Sequence, residues 1–132
     1  MLATGHLGRA EIHTVVDAAL AAGVSHVIVT HPDYPTQGVP VDEQRGLAER
    51  GAVLERCFAP IHTGKVSWEA TFEAIRATGP EHNVLSTDLG QPANPPVEDG
   101  LALLADSLLE AGFSEEDVRT MAVDNTRRLA GA

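Results

Sequence analysis

Four short apolar runs alternate along the chain with segments that repeat apolar residues at helical spacing. The runs are rich in aliphatic and β-branched residues, as is typical of strands in a parallel sheet that is covered on both faces. They comprise residues 2–4, 26–30, 52–58 and 83–87. Strands and helices that take turns in this way predict the α/β class.

Five segments carry the apolar stripe of a helix, and several begin or end at residue types that favour helix termini. Gly23 and Gly79 are suited to helix ends, and Ser67 and Ser114 to N-caps. The predicted helices are residues 9–22, residues 41–50, residues 68–79, residues 97–111 with Leu101, Leu104 and Leu108 on the buried face, and a last helix that follows Ser114.

The strand and helix units recur at nearly constant length. His6, His31, Pro60 and Asp88 follow the four strands, and their separations are 31−6 = 25, 60−31 = 29 and 88−60 = 28 residues. Strand–helix units of equal length, joined by right-handed crossovers, curve a parallel sheet in the same direction at each step. This favours a barrel. A complete (β/α)₈ barrel takes about 250 residues. We therefore expect one domain, residues 1–132, that forms four successive units of a TIM-type barrel plus a C-terminal helix.

The composition and net charge of the chain limit the classes of partner that it can bind. The chain has 19 acidic and 9 basic residues, a formal charge of −10, which opposes binding to nucleic acid or to anionic membranes. No apolar stretch reaches the roughly 20 residues of a membrane span. Cys57 is the single cysteine and has no partner for an internal disulfide, so a cytoplasmic location is the default expectation.

Three residues with metal-binding side chains follow predicted strands. Because the carboxyl ends of parallel strands meet at one edge, we expect His6, His31 and Asp88 to face a common space. Two imidazoles and a carboxylate suit a divalent ion of the zinc class. Such an ion lowers the pKa of a bound water, and Asp88 is the predicted base as well as a predicted ligand. Structural hydrogen bonding is the alternative role for each of these residues.

The motifs TGHL, VTHP and STDLGQPANPP, closed by MAVDNTRRLAG, resemble the C-terminal half of amidohydrolase-superfamily barrels, especially an uncharacterised bacterial branch. The resemblance implies that His6, His31 and Asp88 are the metal-site residues after the fifth, sixth and eighth strands. It also implies hydrolysis of an amide, ester or lactone-type bond. The family's His-x-His pair and its lysine or glutamate after the fourth strand would lie before Met1, so His6, His31 and Asp88 are too few for the family's full metal site.

Other polar residues are weaker candidates. His62, Lys65, Gln91 and Asn94 fall in predicted loops over the same edge and are candidate contacts for a small-molecule substrate. Either Glu55 or Arg56 is expected to point into the barrel interior, and Cys57 is expected to be a buried small residue rather than a nucleophile.

Two further functions remain open. The chain could be a non-catalytic half-barrel that associates with itself or with a partner, because both edges of its sheet are unpaired. In a half-barrel the inward residues, Ile28 or Val27 and Val84 or Leu85, would be wetted, which favours a homodimer. A nucleotide-binding domain ranks last, because TGHLGRAE lacks the glycine-rich fingerprint.

Overall fold

Four parallel strands lie side by side in the order in which they occur along the chain. The computed structural model describes residues 1–131 and gives the strands as β1, Leu2–Ala3; β2, Val27–Val29; β3, Ala52–Cys57; and β4, Asn83–Ser86. Parallel neighbours require a crossover connection, which helices provide between every pair of strands. The predicted α/β class and the four predicted strands are confirmed.

The helices begin largely where local sequence signals place them. Ser67 accepts a hydrogen bond of 3.1 Å from the Ala70 N–H, and Ser114 and Asp117 form a reciprocal capping box. The helices are α1, Arg9–Ala21; α2, Val41–Glu49; α3, Phe58–His62; α4, Trp68–Thr78; α5, Val97–Glu110; α6, Glu115–Arg119; and α7, Asn125–Ala130; a 3₁₀ turn spans Pro80–His82, and a π-helical segment, Thr120–Asp124, joins α6 to α7. Within residues 1–131, no helix has both the length and the apolar character that a membrane crossing requires.

One face of the sheet is covered by helices and holds most of the core. Alternate residues of β2 and β3 point to this face and pack on α1 and α2, in a cluster that includes Val27, Val29, Ala52, Leu54 and Ile12. A second cluster joins α4, α5 and the C-terminal segment to β4, and its fully buried members are Ile75, Leu104, Leu108 and Met121. Because successive side chains of a strand point to opposite faces, alternate residues of each strand contact the helices.

Leu101 differs from its predicted position. It was expected on the buried face of α5 but is 36% exposed. The buried face passes instead through Gly100, Leu104 and Leu108, which are spaced four residues apart. The glycine lets the helix approach the chain after β4, so Leu101 lies at the edge of the contact.

The opposite, concave face of the sheet is partly covered by the C-terminal helix. Leu129 of α7 packs against Val53 and Val84, and Ile28 lies beside this cluster. Val84 is consequently only 8% exposed, so the expectation that inward residues of the half-barrel are wetted is wrong for Val84. Ile28 remains half-buried, whereas Val27 and Leu85 point to the helix-covered face.

Asn125 fixes the C-terminal segment to the amino end of β4. Its side-chain amide donates hydrogen bonds to the carbonyl oxygens of Pro80, at 3.0 Å, and Asn83, at 2.7 Å. The Pro80 oxygen also accepts a hydrogen bond from the Asn83 N–H, so the Asn125 amide ties this turn to the C-terminal segment. The hydrogen bonds of Asn125 hold α7 so that Leu129 packs on the concave face of the sheet. The carboxyl ends of the strands stay uncovered.

Candidate functional site at the carboxyl ends of the strands

Three strands are followed by a threonine and then by a residue with positive φ. Gly5 has φ 62°, His31 has φ 49° and Asp88 has φ 51°; His31 and Asp88 are the non-glycine residues with positive φ in the part of the chain that the structure describes. Left-handed backbone costs an L-residue about 1–2 kcal/mol. Such conformations persist where the surrounding structure imposes them, and they are concentrated at functional sites.

His6 stands one residue later in its loop than His31 and Asp88 do in theirs. Gly5 takes the left-handed position after β1, and His6 follows it. The Thr4 hydroxyl accepts a hydrogen bond of 3.1 Å from the Thr30 N–H, which holds the first two loops together. Sequence spacing alone placed the three side chains at matching positions and did not show this offset.

The three predicted metal-site residues line one open cleft. The rings of His6 and His31 meet edge to face with centroids 5.2 Å apart, and His31 Nε2 lies 3.6 Å from Asp88 Oδ2. The cleft has a volume of about 300 Å³. The structure therefore brings His6, His31 and Asp88 together, with His6 and Asp88 exposed and His31 buried.

His31 is the buried member of the group. It is 9% exposed, and its Nδ1 atom is buried without a hydrogen-bond partner. An unsatisfied buried ring nitrogen carries a desolvation cost of about 1–3 kcal/mol. This atom is thus free to accept a proton donor or a ligand that the polypeptide does not supply.

Arg56 and Asp33 fix the loop that carries His31. The Arg56 guanidinium, fully buried, pairs with the Asp33 carboxylate and donates a 2.7 Å hydrogen bond to Asn83 Oδ1. Asp33 also accepts a 2.7 Å hydrogen bond from Gln44 of α2. A charge-assisted pair removed from water holds its partners in place. The sequence reasoning missed Asp33 and Gln44, although the aspartate follows His31 by two residues.

Glu55 and Arg56 point to opposite faces of β3, which settles the alternative that the sequence left open. Arg56 lies on the helix-covered face, and Glu55 lies on the concave face with Cys57. Ser86 of β4 donates a 2.9 Å hydrogen bond to Glu55 Oε1, and its Oγ lies 2.9 Å from Cys57 Sγ. Burial, reinforced by the Glu55 charge, raises the pKa of the Cys57 thiol.

A second group of potential ligands therefore lies beside His31. A ring nitrogen of His31, a carboxylate oxygen of Glu55 and the sulfur of Cys57 all lie within 4.8 Å of one another. Among residues 1–131 no other group of three such side chains, including His6, His31 and Asp88, meets this distance. Residues 55 and 57 alternate in one strand, which is the sequence signal that places both on one face.

The four residues predicted to contact substrate separate into two sets. Lys65, Gln91 and Asn94 line the cleft with His31 and Asp88. Asn94 Nδ2 donates a 2.7 Å hydrogen bond to Gln91 Oε1, which links the two amides. His62 does not line the cleft: it closes helix α3 and stacks on Phe58, with ring centroids 5.2 Å apart.

Lys65 reaches over the cleft from the chain after α3. Its Nζ lies 5.4 Å from the centre of the Tyr34 ring. A hydrogen bond with Tyr34 raises the pKa of Lys65, and the charge of Asp88 adds to this effect. The cleft thus contains an ammonium group facing a carboxylate.

Comparison with known proteins gives one family match. A family described as "Family of unknown function (DUF6282)" matches residues 1–55. The match covers His6, His31 and the loop between β2 and α2, and it ends within β3. No curated protein and no solved structure matches the chain.

Proposed function

We propose that this chain is a metal-dependent hydrolase of the amidohydrolase type, or the C-terminal half of one. The observation that carries the proposal is the convergence of His6, His31 and Asp88 on one cleft at the carboxyl edge of the parallel sheet. Strands that follow one another in chain order are what four successive units of a (β/α)₈ barrel require. Enzymes of that architecture place their working residues at this edge.

The donor set fits a zinc-class ion. Two imidazoles and one carboxylate are ligands that Zn²⁺ accepts, and Nε2 of His31 lies 3.6 Å from the Asp88 carboxylate. His6 and Asp88 must rotate towards His31, since the three side chains are not grouped within 4.8 Å. Their exposure permits that movement, because exposed side chains change rotamer readily.

A bound divalent ion would supply Lewis-acid chemistry, polarising a carbonyl oxygen and lowering the pKa of a coordinated water. Asp88, held by its left-handed backbone beside His31, is placed to accept a proton during attack on the substrate. Asp33 and Arg56 keep the His31 loop in place while this happens.

The cleft favours a small substrate with an anionic or polar group. The Lys65 ammonium attracts a carboxylate or phosphate, and the linked amides of Gln91 and Asn94 can hydrogen-bond a carbonyl. An amide, ester or lactone with such a group is the substrate class that we propose.

Self-association is part of the proposal, because half of a barrel leaves sheet edges and apolar side chains uncovered. β1 and β4 each have one unpaired edge, and Val97 and Leu101 on α5 are 51% and 36% exposed. Two copies that pair through these features would cover them. Light scattering should give twice the chain mass of 13.9 kDa, and a monodisperse monomer would contradict it.

The test of the hydrolase proposal is metal binding and turnover in matched variants. We expect the isolated chain to bind Zn²⁺ weakly in the cleft, and His31→Ala and Asp88→Asn to weaken binding at that site by more than about tenfold. His82→Ala is the control, since His82 lies at the amino end of β4. Release of product from a panel of esters, lactones and amides should follow the same order. Binding that is unchanged in both His31→Ala and Asp88→Asn would overturn the proposal.

A further inference from the structure

We propose that His31, Glu55 and Cys57 form a second metal site, of the zinc class, beneath the open cleft. It goes beyond the proposed function by assigning two ligands from β3 that lie on the concave face of the sheet. It shares His31 with the cleft site, whose other two residues are His6 and Asp88. An ion in this second site would be held by a thiolate, an imidazole and a carboxylate.

The positions of the three side chains are set by regular structure. Glu55 and Cys57 alternate in β3, the longest of the strands, so both project from the same face. His31 follows the neighbouring strand β2 and is fixed by its left-handed backbone. All three ligand atoms lie within 4.8 Å of one another. Sites built on strands hold their ligands more precisely than sites built on loops.

The burial of the group points to a ligand that the protein alone does not provide. His31 is 9% exposed and its Nδ1 is buried without a partner, while Cys57 is 5% exposed. The three residues line a small internal space of about 10 Å³. Such a space admits roughly one water-sized particle, which is also the scale of a single metal ion.

Charge in the site balances when a divalent ion enters. The ion displaces the thiol proton of Cys57, which passes to solvent, and the new metal–sulfur bond leaves Zn²⁺ facing one thiolate and one carboxylate. The sum of these charges is zero. Without the ion, burial raises the pKa of the thiol, and the Cys57 S–H donates to Ser86, which donates to Glu55. A coordinating thiol is deprotonated by its metal even where the free thiol is not.

Arg56 lines the same space, and Asp33, which also lines it, neutralises the charge of Arg56. The Nε–H of Arg56 donates to Asn83 Oδ1, and its Nη2 is buried without a hydrogen-bond partner. Lys65, the other cation of the region, lies with Asp88 in the open cleft that His6 and His31 line. The lining therefore combines a neutralised ion pair with the three donor groups of His31, Glu55 and Cys57.

Titration of the full chain with Co²⁺ tests this assignment directly. Because Cys57 is the only cysteine of the chain, a thiolate-to-cobalt charge-transfer band in the near ultraviolet can arise only from this residue. We expect the band in the wild-type chain and its loss in both Cys57→Ser and Cys57→Ala. Glu55→Gln should weaken Co²⁺ binding by about tenfold or more. Circular dichroism of each variant verifies that it is folded.

A double variant, His6→Ala with Asp88→Asn, separates this site from the one in the cleft. We expect the charge-transfer band to persist in it. Binding of Co²⁺ without a thiolate band in the wild-type chain would overturn the second site and leave the proposed function standing. A band that disappears in the double variant would also overturn it. If the wild-type band persists but hydrolysis is unaffected by Asp88→Asn, the proposed function fails and the second site stands.

Discussion

His31 and Asp88 occupy the same position relative to their strands. Each is the second residue after its strand, each follows a threonine, and their φ angles are 49° and 51°. Their side chains approach to 3.6 Å, between Nε2 and Oδ2. The loops after β2 and β4, which flank the loop after β3, repeat an unfavourable backbone conformation and hold these two side chains close enough for a shared ligand.

The strain at Asp88 can be measured by substitution. Asp88→Gly should be more stable than Asp88→Ala by about 1 kcal/mol, because glycine adopts left-handed backbone without a steric penalty. Both variants lose the carboxylate, so the difference between them reports only the backbone. Urea unfolding gives the two free energies. Equal stability of the two variants would show that the positive φ is not imposed by the fold.

The buried ion pair of Arg56 and Asp33 should dominate the stability of the loop after β2. Arg56→Met leaves the Asp33 carboxylate and Asn83 without their partner, and we expect a loss of about 3–5 kcal/mol. Arg119→Met is the matched control, since the Arg119 side chain is 67% exposed and its contact with Asp124 is 3.5 Å. Denaturant unfolding of both variants is the measurement, and similar losses would refute this expectation.

Two helical glycines should differ in their response to substitution by alanine. Gly46 in α2 has open space around the position of an added Cβ, so Gly46→Ala should stabilise the chain by about 0.8–1.0 kcal/mol. At Gly100 in α5 the same atom would lie 3.2 Å from Thr87 Cγ2 and would press on Leu89. Gly100→Ala should therefore be less stable than Gly46→Ala. Thermal unfolding of the pair decides it, and an equal gain at both positions would mean that the loop after β4 yields freely.

Acid should remove one surface interaction. Hydrogen bonds from Arg9, and then from His13, lower the pKa of Glu43 from its ordinary value of 4.5 to about 2. A lowered pKa in the folded state means that the stabilisation is present above the unfolded pKa and is lost as pH falls towards the folded one. Melting temperatures of wild type and Glu43→Gln should accordingly differ above pH 4.5 and converge near pH 2. Glu73→Gln, at an exposed position on α4, is the control, and a constant gap across the range would contradict the assignment.

The parts of the fold that the sequence predicted are those set by local signals. Short runs of aliphatic and β-branched residues located all four strands, and caps such as Ser67 and Ser114 located helix starts. Helix α3 was not predicted, because Phe58 continues an apolar run and a single helical turn has too few residues to show a period.

The candidate site likewise has residues that the sequence predicted and contacts that it did not. His6, His31 and Asp88 could be identified because residues after parallel strands share an edge, which is a rule of topology rather than of contacts. The pairing of Arg56 with Asp33 joins residues 23 apart in the chain and depends on the face to which Arg56 points. The grouping of His31 with Glu55 and Cys57 likewise depends on how two strands are aligned, which the composition of either strand does not specify.

The chain order of the strands also determines how the molecule opens. Each strand pairs only with the strands next to it in sequence, as repeats do in a solenoid, so one end can detach while the other remains folded. β1 pairs through two residues, whereas β3 and β4 pair through four. Transient opening should therefore start at β1 and expose the edge of β2, so amide protons there exchange with solvent earlier than those between β3 and β4. The loop of His6 would detach together with β1. Access to the cleft lined by His6, His31 and Asp88 would then depend on local unfolding of β1 and not on the movement of a separate lid.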